Sequence, residues 1–301
     1  MNKTSPLIVV ANATGAQSSS VVRAASAAGF QVRAQARSVS KPEAQTLAAL
    51  PNVTLAEGSL EDASFVSTLF KDADYAWVNT TYLQPEETAL GKSLALAAKE
   101  AGVKHYVYSS LSDHSKFTDG KWRNPAFAGK FAVEEYIRSL DNFPATFVYV
   151  GGYLENYNKS YWVNVERQED GSIAMSGKLD PDSRVPTIEI ERDLGPAVVN
   201  ILKQGPAKWN HKRVPLSFEY LSMNELARRF TEATGIKVTY QQTSKELDTS
   251  KFIDIVYGIT NDEVYYDWEC KVPEEARELN PNWHTVEDFA KNKWKKPELK
   301  K

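Results

Sequence analysis

The stretch Leu7 to Ala28, LIVVANATGAQSSSVVRAASAA, constrains this chain more than any other. It opens on an unbroken apolar run, Leu7-Ile8-Val9-Val10-Ala11, short and rich in branched residues, as a strand buried on both faces requires. A turn of small residues follows, and then Val21, Val22, Ala25 and Ala28 recur at helical spacing. The pattern predicts a strand over 7–11 and a helix over 18–28, the first unit of a dinucleotide-binding fold. A pyrophosphate reaches the backbone at such a turn, where unpaired N–H groups and the helix dipole favour anions. Of the usual glycines at 12, 15 and 18 only Gly15 is present. Asn12 tolerates positive φ, and Ser18 is small enough for close helix–strand packing. The alternative is an ordinary turn with no ligand. The candidate contacts are Asn12, Thr14, Gly15, Ala16 and Gln17.

The βα rhythm continues. Residues 30–37 read as a second strand ending in Arg37, where NAD-preferring folds carry an acid for the ribose hydroxyl. A guanidinium suits a 2′-phosphate, so Arg37 favours or tolerates NADP; a solvated surface arginine is the other reading. Strands follow over 53–57, 75–81 with a polar end at Asn79-Thr80-Thr81, 105–110 and 145–150. Helices fall between them, near 42–50, after Asp62, over 88–101 and over 127–140. The fold class is α/β, a Rossmann doubly wound parallel sheet with a smaller α+β C-terminal domain. The expected division is a dinucleotide-binding domain over 1–152, rejoined by 187–205, and a smaller domain over 153–301. In the latter, 193–204 and 222–234 read as helices, the second opened by a Ser222/Glu225 capping box.

The chain's 301 residues are enough for a sizeable core. Its net charge of −3 supplies no basic field for direct nucleic-acid binding. The single Cys270 rules out an internal disulfide, and no apolar run is long enough to cross a membrane. The start, MNKTSP, leads straight into a strand, so no signal peptide is expected. His105, His114, His211 and His284 show no metal-ligand spacing; His114 is an ordinary loop residue or an acid–base group.

Hydride-transfer enzymes of the short-chain type use a tyrosine to protonate substrate and a lysine four residues later to lower its pKa and hold the ribose. Lys130 stands at the lysine position, on a helical face reaching the cofactor edge, but Ala126 stands at the tyrosine position. The usual proton relay cannot form. Ser109 and its neighbours Ser110 and Ser112 could orient a carbonyl, but hydroxyls alone deliver no hydride chemistry. Residues 252–288 hold ten acids against Lys271 and Arg277, interleaved with Tyr265, Tyr266, Trp268 and Trp283. That stretch is a solvated charged face or a docking surface for a basic partner with aromatic anchors.

Taken in order, NATG (12–15), VRAQAR (32–37), PNVTLAEGSL (51–60), NTT (79–81), HYVYSSLSDHS (105–115), GGYLENY (151–157), GPAKWN (205–210) and LSFEYLS (216–222) resemble the NmrA-like family of atypical short-chain dehydrogenases. The likeness is strongest to that family's regulators of nitrogen metabolite repression. It implies NAD or NADP bound without turnover, and control of a GATA-type transcription factor through its zinc finger, in the cytoplasm or the nucleus. It also implies that Lys130 meets the ribose and that Tyr153 and Asn156 border the nicotinamide. Active relatives of the quinone- and isoflavone-reductase type lack the tyrosine as well, so a reductase using Lys130 is the alternative.

Overall fold

The computed structural model describes residues 5–81, 87–159, 162–266 and 274–298. The chain alternates as β1 (Leu7–Val10), α1 (Ala16–Ala27), β2 (Gln31–Ala36), α2 (Pro42–Ala48), β3 (Val53–Glu57), α3 (Ala63–Leu69), β4 (Tyr75–Val78), α4 (Glu87–Glu100), β5 (His105–Ser110), α5 (Pro125–Arg138) and β6 (Ala145–Val150). Then come β7 (Gly152–Tyr153), β8 (Asn164–Arg167), β9 (Ile173–Gly177), β10 (Arg184–Ile188), α6 (Gly195–Gln204), α7 (Pro206–Trp209) and β11 (Arg213–Leu216). The remainder is β12 (Glu219–Ser222), α8 (Met223–Thr234), β13 (Val238–Gln242), α9 (Phe252–Asn261), α10 (Glu274–Leu279) and α11 (Val286–Asn292).

Seven strands form one parallel sheet in the order β11-β6-β5-β4-β1-β2-β3. The order reverses between β1 and β4, the crevice where doubly wound sheets bind ligands. Every residue of β5 and β6 is buried. That is why β6 appears in the sequence as a near-continuous apolar run, whereas β5 also buries His105, Ser109 and Ser110. Two three-stranded sheets, β12-β10-β7 and β13-β9-β8, follow the main sheet in the chain.

Local chemistry sets the boundaries. Helix α1 begins at Ala16, two residues before the expected start, because Gly15 is its N-cap. Gly29, at φ +83°, ends it as expected. Helix α5 begins at Pro125 rather than Phe127: Asn124 Oδ1 accepts the Ala126 and Phe127 amides, and Pro125 fits the first turn, where its missing N–H costs nothing. The expected helix over 193–204 is a π-turn, Ile190–Leu194, running into α6. At that junction a Cβ on Gly195 would lie 2.2 Å from the Ser20 carbonyl oxygen, so only glycine lets α6 close on α1. The capping boxes at Ser222 and Thr285 are both formed.

The acid-rich stretch is not a uniform face. Asp254 pairs with Lys178, Asp262 takes Lys121 and the Trp122 indole N–H, Glu287 holds Arg229, and Asp288 caps α11. Tyr265 is buried and Trp283 stacks on Phe218 at 5.6 Å, so neither projects as an anchor. Glu274, Glu275 and Glu278 on α10 are the exposed acids among the described residues of α10 and α11. Asp267, Trp268, Glu269, Cys270 and Lys271 lie outside the described residues.

Candidate functional site

The turn after β1 is held open by its neighbours. Asn12 sits at φ 51°, the left-handed region in which asparagine replaces glycine with little strain. Its amide donates to Gln35 Oε1 (2.8 Å), and its Nδ2 donates to the Asn79 carbonyl (2.8 Å). Gln35 is fully buried; its own carbonyl accepts the Ala13 amide and its Nε2 donates to the Gly58 carbonyl, so one side chain ties the ends of β1, β2 and β3 together. Ser18 Oγ donates to the Ala11 carbonyl (2.7 Å) and accepts from the Trp77 indole (3.1 Å), binding α1 against β1 and β4. Position 18 thus needs a small residue and uses a hydroxyl as well.

What the turn leaves open matters more. No side chain caps α1, and no acid lies in its first turn. Thr14, Gly15 and Ala16 are exposed. The first amides of a twelve-residue helix therefore face outward with their dipole uncompensated, as an anion site requires. Gln17, 7% exposed, has a buried Oε1 without a partner beside this terminus, an acceptor that a donor on a ligand, such as a ribose hydroxyl, would satisfy.

A cavity of about 420 Å³ opens from α1 along the ends of β4, β5 and β6. Ala16, Gln17, Asn79, Thr80, Thr81, Ser109, Lys130, Tyr153 and Asn156 line it. A second, of about 60 Å³, is lined by Asn12, Arg37, Thr81 and Glu61 among others, with Arg37 exposed. Thr14 and Gly15 belong to the turn from which α1 begins. The two cavities share Thr81, so together they trace one path along the sheet's carboxyl edge. The dinucleotide fits these residues: amides and a helix dipole for the diphosphate, Arg37 at one end, and hydroxyls and amides at the other.

Lys130 reaches the cavity from α5. It is buried, and its Nζ donates to the Thr80 carbonyl (2.7 Å), pairs with Glu87 Oε1 (2.9 Å) and reaches Asn79 Oδ1 (3.1 Å) and Thr80 Oγ1 (3.2 Å). Four acceptors surround three N–H bonds. Burial pulls its pKa below the ordinary lysine range, and the Glu87 charge opposes that shift. Thr80 Oγ1 also meets Glu87 (2.8 Å) and the Tyr108 hydroxyl (3.0 Å), so the lysine is pinned inside a buried network. Ala126 lies in the first turn of α5 and offers no proton.

Sequence reasoning missed Glu87 and the apolar wall opposite the polar one. Leu111, Phe127, Trp162, Phe252, Ile253 and Val256 line the far side of the large cavity, with Tyr265. The signal for that wall was the apolar run of α9, unassigned in the sequence. His114 is no acid–base group. It is 1% exposed, its Nε2 donates to the Tyr265 carbonyl (3.2 Å), and burial lowers its pKa to about 4, so it is neutral at pH 7. A buried Asp193–His284 pair (2.8 Å) was missed too; it joins the π-turn to the start of α11. Burial raises the Asp193 carboxyl above its ordinary range. No cluster of metal-ligating side chains occurs among the described residues. Nor, among them, is any helix long and apolar enough to cross a membrane.

The chain is similar along most of its length to known proteins. The sequence pattern of the NmrA-like family matches residues 4–290. The nitrogen metabolite repression protein nmrA of Emericella nidulans is 43% identical over 243 residues, 79% of this chain and 68% of that protein. The nitrogen metabolite repression protein nmr of Neurospora crassa is 35% identical over 77% of this chain; the match spans 54% of that longer protein. Crystal structures of the negative transcriptional regulator NmrA, one in complex with NAD and one with NADP, are 36% identical and superpose with TM-scores of 0.88 and 0.86. Each covers 97% of this chain and 96% of its own. On the breadth of that match, the chain belongs to the NmrA-like family.

Proposed function

We propose that this protein is a dinucleotide-binding redox sensor that regulates transcription in nitrogen metabolite repression, and that it binds NAD or NADP without turning either over. The single observation that carries this reading is the contrast within one cavity. The helix terminus that would take the diphosphate is uncapped, while the lysine that would serve chemistry has every N–H engaged and an alanine, Ala126, where the proton-donating tyrosine would stand. Asn12, Thr14, Gly15, Ala16 and Gln17 would hold the diphosphate. Asn79, Thr80, Thr81 and Ser109 would line the nicotinamide side, Tyr153 and Asn156 would border it, and Arg37 would face the 2′ position. With Lys130 committed to Glu87 and Thr80, it supports the floor of this site instead of donating to the ribose. Likeness to NmrA bound to NAD and to NADP supports acceptance of both cofactors. The partner we assign is a transcription factor, a role that likeness to nitrogen metabolite repression proteins supports, and within that class the basic zinc finger of a GATA-type factor.

Calorimetric titration with NAD, NADH, NADP and NADPH tests the reading. A redox sensor separates oxidised from reduced forms by more than about 1.4 kcal/mol, a factor of ten. Capture of a GATA-type finger by the purified chain, with and without dinucleotide, tests the partner. Equal affinity for all four forms removes the sensor role, and no capture removes the partner. One observation favours a second reading: the apolar wall would seat an apolar substrate for a reductase. That reading needs Lys130 to release a proton it has already shared.

A further inference from the structure

One short segment, Tyr153 to Asn158, carries contacts to three separate parts of the molecule. At its start Gln17 Nε2 donates to the Tyr153 hydroxyl, and both side chains line the large cavity. In its middle the Glu155 carboxylate accepts the amides of Ile190 (3.2 Å) and Glu191 (2.9 Å), at the head of the π-turn packed on α1 and α6. At its end Asn158 grips the chain just beyond α11 from both sides: Nδ2 donates to the Lys293 carbonyl (3.1 Å) and Oδ1 accepts the Lys295 amide (2.7 Å). Leu154 and Tyr157 are buried between these points, and the segment is a single tight helical turn. A displacement at one end is passed to the other, since a packed turn moves as a piece.

We propose that dinucleotide binding is coupled through Tyr153–Asn158 to the end of α11, so that the state of the cavity is read at Lys293–Lys295. The inference rests on the dinucleotide binding proposed above and assigns its regulation. Gln17 stands at the uncapped terminus of α1, and a ligand there that turns its carboxamide redirects the hydrogen bond to Tyr153. Tyr153 displaced in this way repositions the turn, and the two Asn158 contacts at the far end loosen. Coupling between two sites is reciprocal, so weakening the Asn158 grip also favours the bound state of the cavity.

Backbone hydrogen exchange of the full chain, with and without saturating NAD, tests this alongside calorimetry on the same samples. The expected result is exchange over 286–298 that speeds by about fivefold or more when NAD binds, with β5 unchanged. Asn158→Ala should show the fast rate without NAD and bind NAD several-fold tighter. Leu154→Ala, which loosens the buried middle of the turn and lies outside the cavity lining, should still bind NAD but leave 286–298 unresponsive. NAD binding without any change over 286–298 overturns the coupling and leaves the proposed function standing, as does a full response in Leu154→Ala. No NAD binding in any sample overturns the proposed function and the coupling with it.

Discussion

Two helices point their N-termini toward the same crevice, and they are finished in opposite ways. Helix α5 is closed: Asn124 accepts two of its first amides and Pro125 removes a third donor. Helix α1 is open, with a glycine cap that supplies no side-chain acceptor and no acid in its first turn. An open terminus is a binding feature, because unpaired amides cost free energy until an anion or water meets them. A closed terminus is a structural one. The same division runs through the side chains. Gln17, beside α1, keeps a buried acceptor free, whereas Lys130, on α5, has more acceptors than N–H bonds. The molecule presents a receptive end and a sealed end, and the proposal of binding without turnover rests on that contrast.

The largest expected effect comes from breaking the sealed end. Lys130→Met leaves Glu87 as an unpaired buried carboxylate and should cost about 3–5 kcal/mol of stability, read by denaturant unfolding. Pairing it with Glu87→Leu should recover most of that loss, because an ion pair replaced on both sides by apolar groups is near neutral.

The next effect is in pH. His114 is held neutral with a folded pKa of about 4, against about 6.5 in the unfolded chain. Between those values the unfolded state binds the extra proton, so stability falls as the pH drops from about 6.5 to 4, by about 1.4 kcal/mol per pH unit from this residue. His105, lowered to about 4 by burial, adds a term of the same sign, and the raised Asp193 opposes both below pH 6. His114→Gln should reduce the slope of stability against pH by about one proton.

Filling the open end sharpens the comparison. Ala16→Asp puts a carboxylate on the amides of α1. It should stabilise the fold by about 0.5 kcal/mol and weaken dinucleotide binding by tenfold or more, by calorimetry. Unchanged affinity would mean that these amides do not meet the diphosphate. At the closed end, Asn124→Ala should cost about 1 kcal/mol by thermal unfolding and leave dinucleotide affinity unchanged.

The same contrast explains what was legible in the sequence. Strands β1 and β6 were, because burial on both faces leaves near-continuous apolar runs, and β5, which ends in Ser109-Ser110, was legible from its place in the βα rhythm. The turn was legible from Asn12 and Gly15 despite the missing glycines, since the φ of 51° at Asn12 is a local property. The start of α5 was written in Asn124-Pro125 and read two residues late, because the apolar periodicity begins only at Phe127. Glu87 could not be found: its meaning depends on Lys130, brought beside it only by the packing of α4 on α5. The Asp193–His284 pair is invisible for the same reason, and the Asp262 contacts with Lys121 and Trp122 show that charge along a chain does not predict charge on a surface.

The central claim is binding without turnover. Its most direct test is a single-turnover measurement of NADPH absorbance, with the protein in excess over the cofactor, after mixing with a panel of quinones, aldehydes and enones. The account predicts NADPH that is bound and stays reduced at the rate seen without protein. Substrate-dependent oxidation that disappears in Lys130→Met would contradict it.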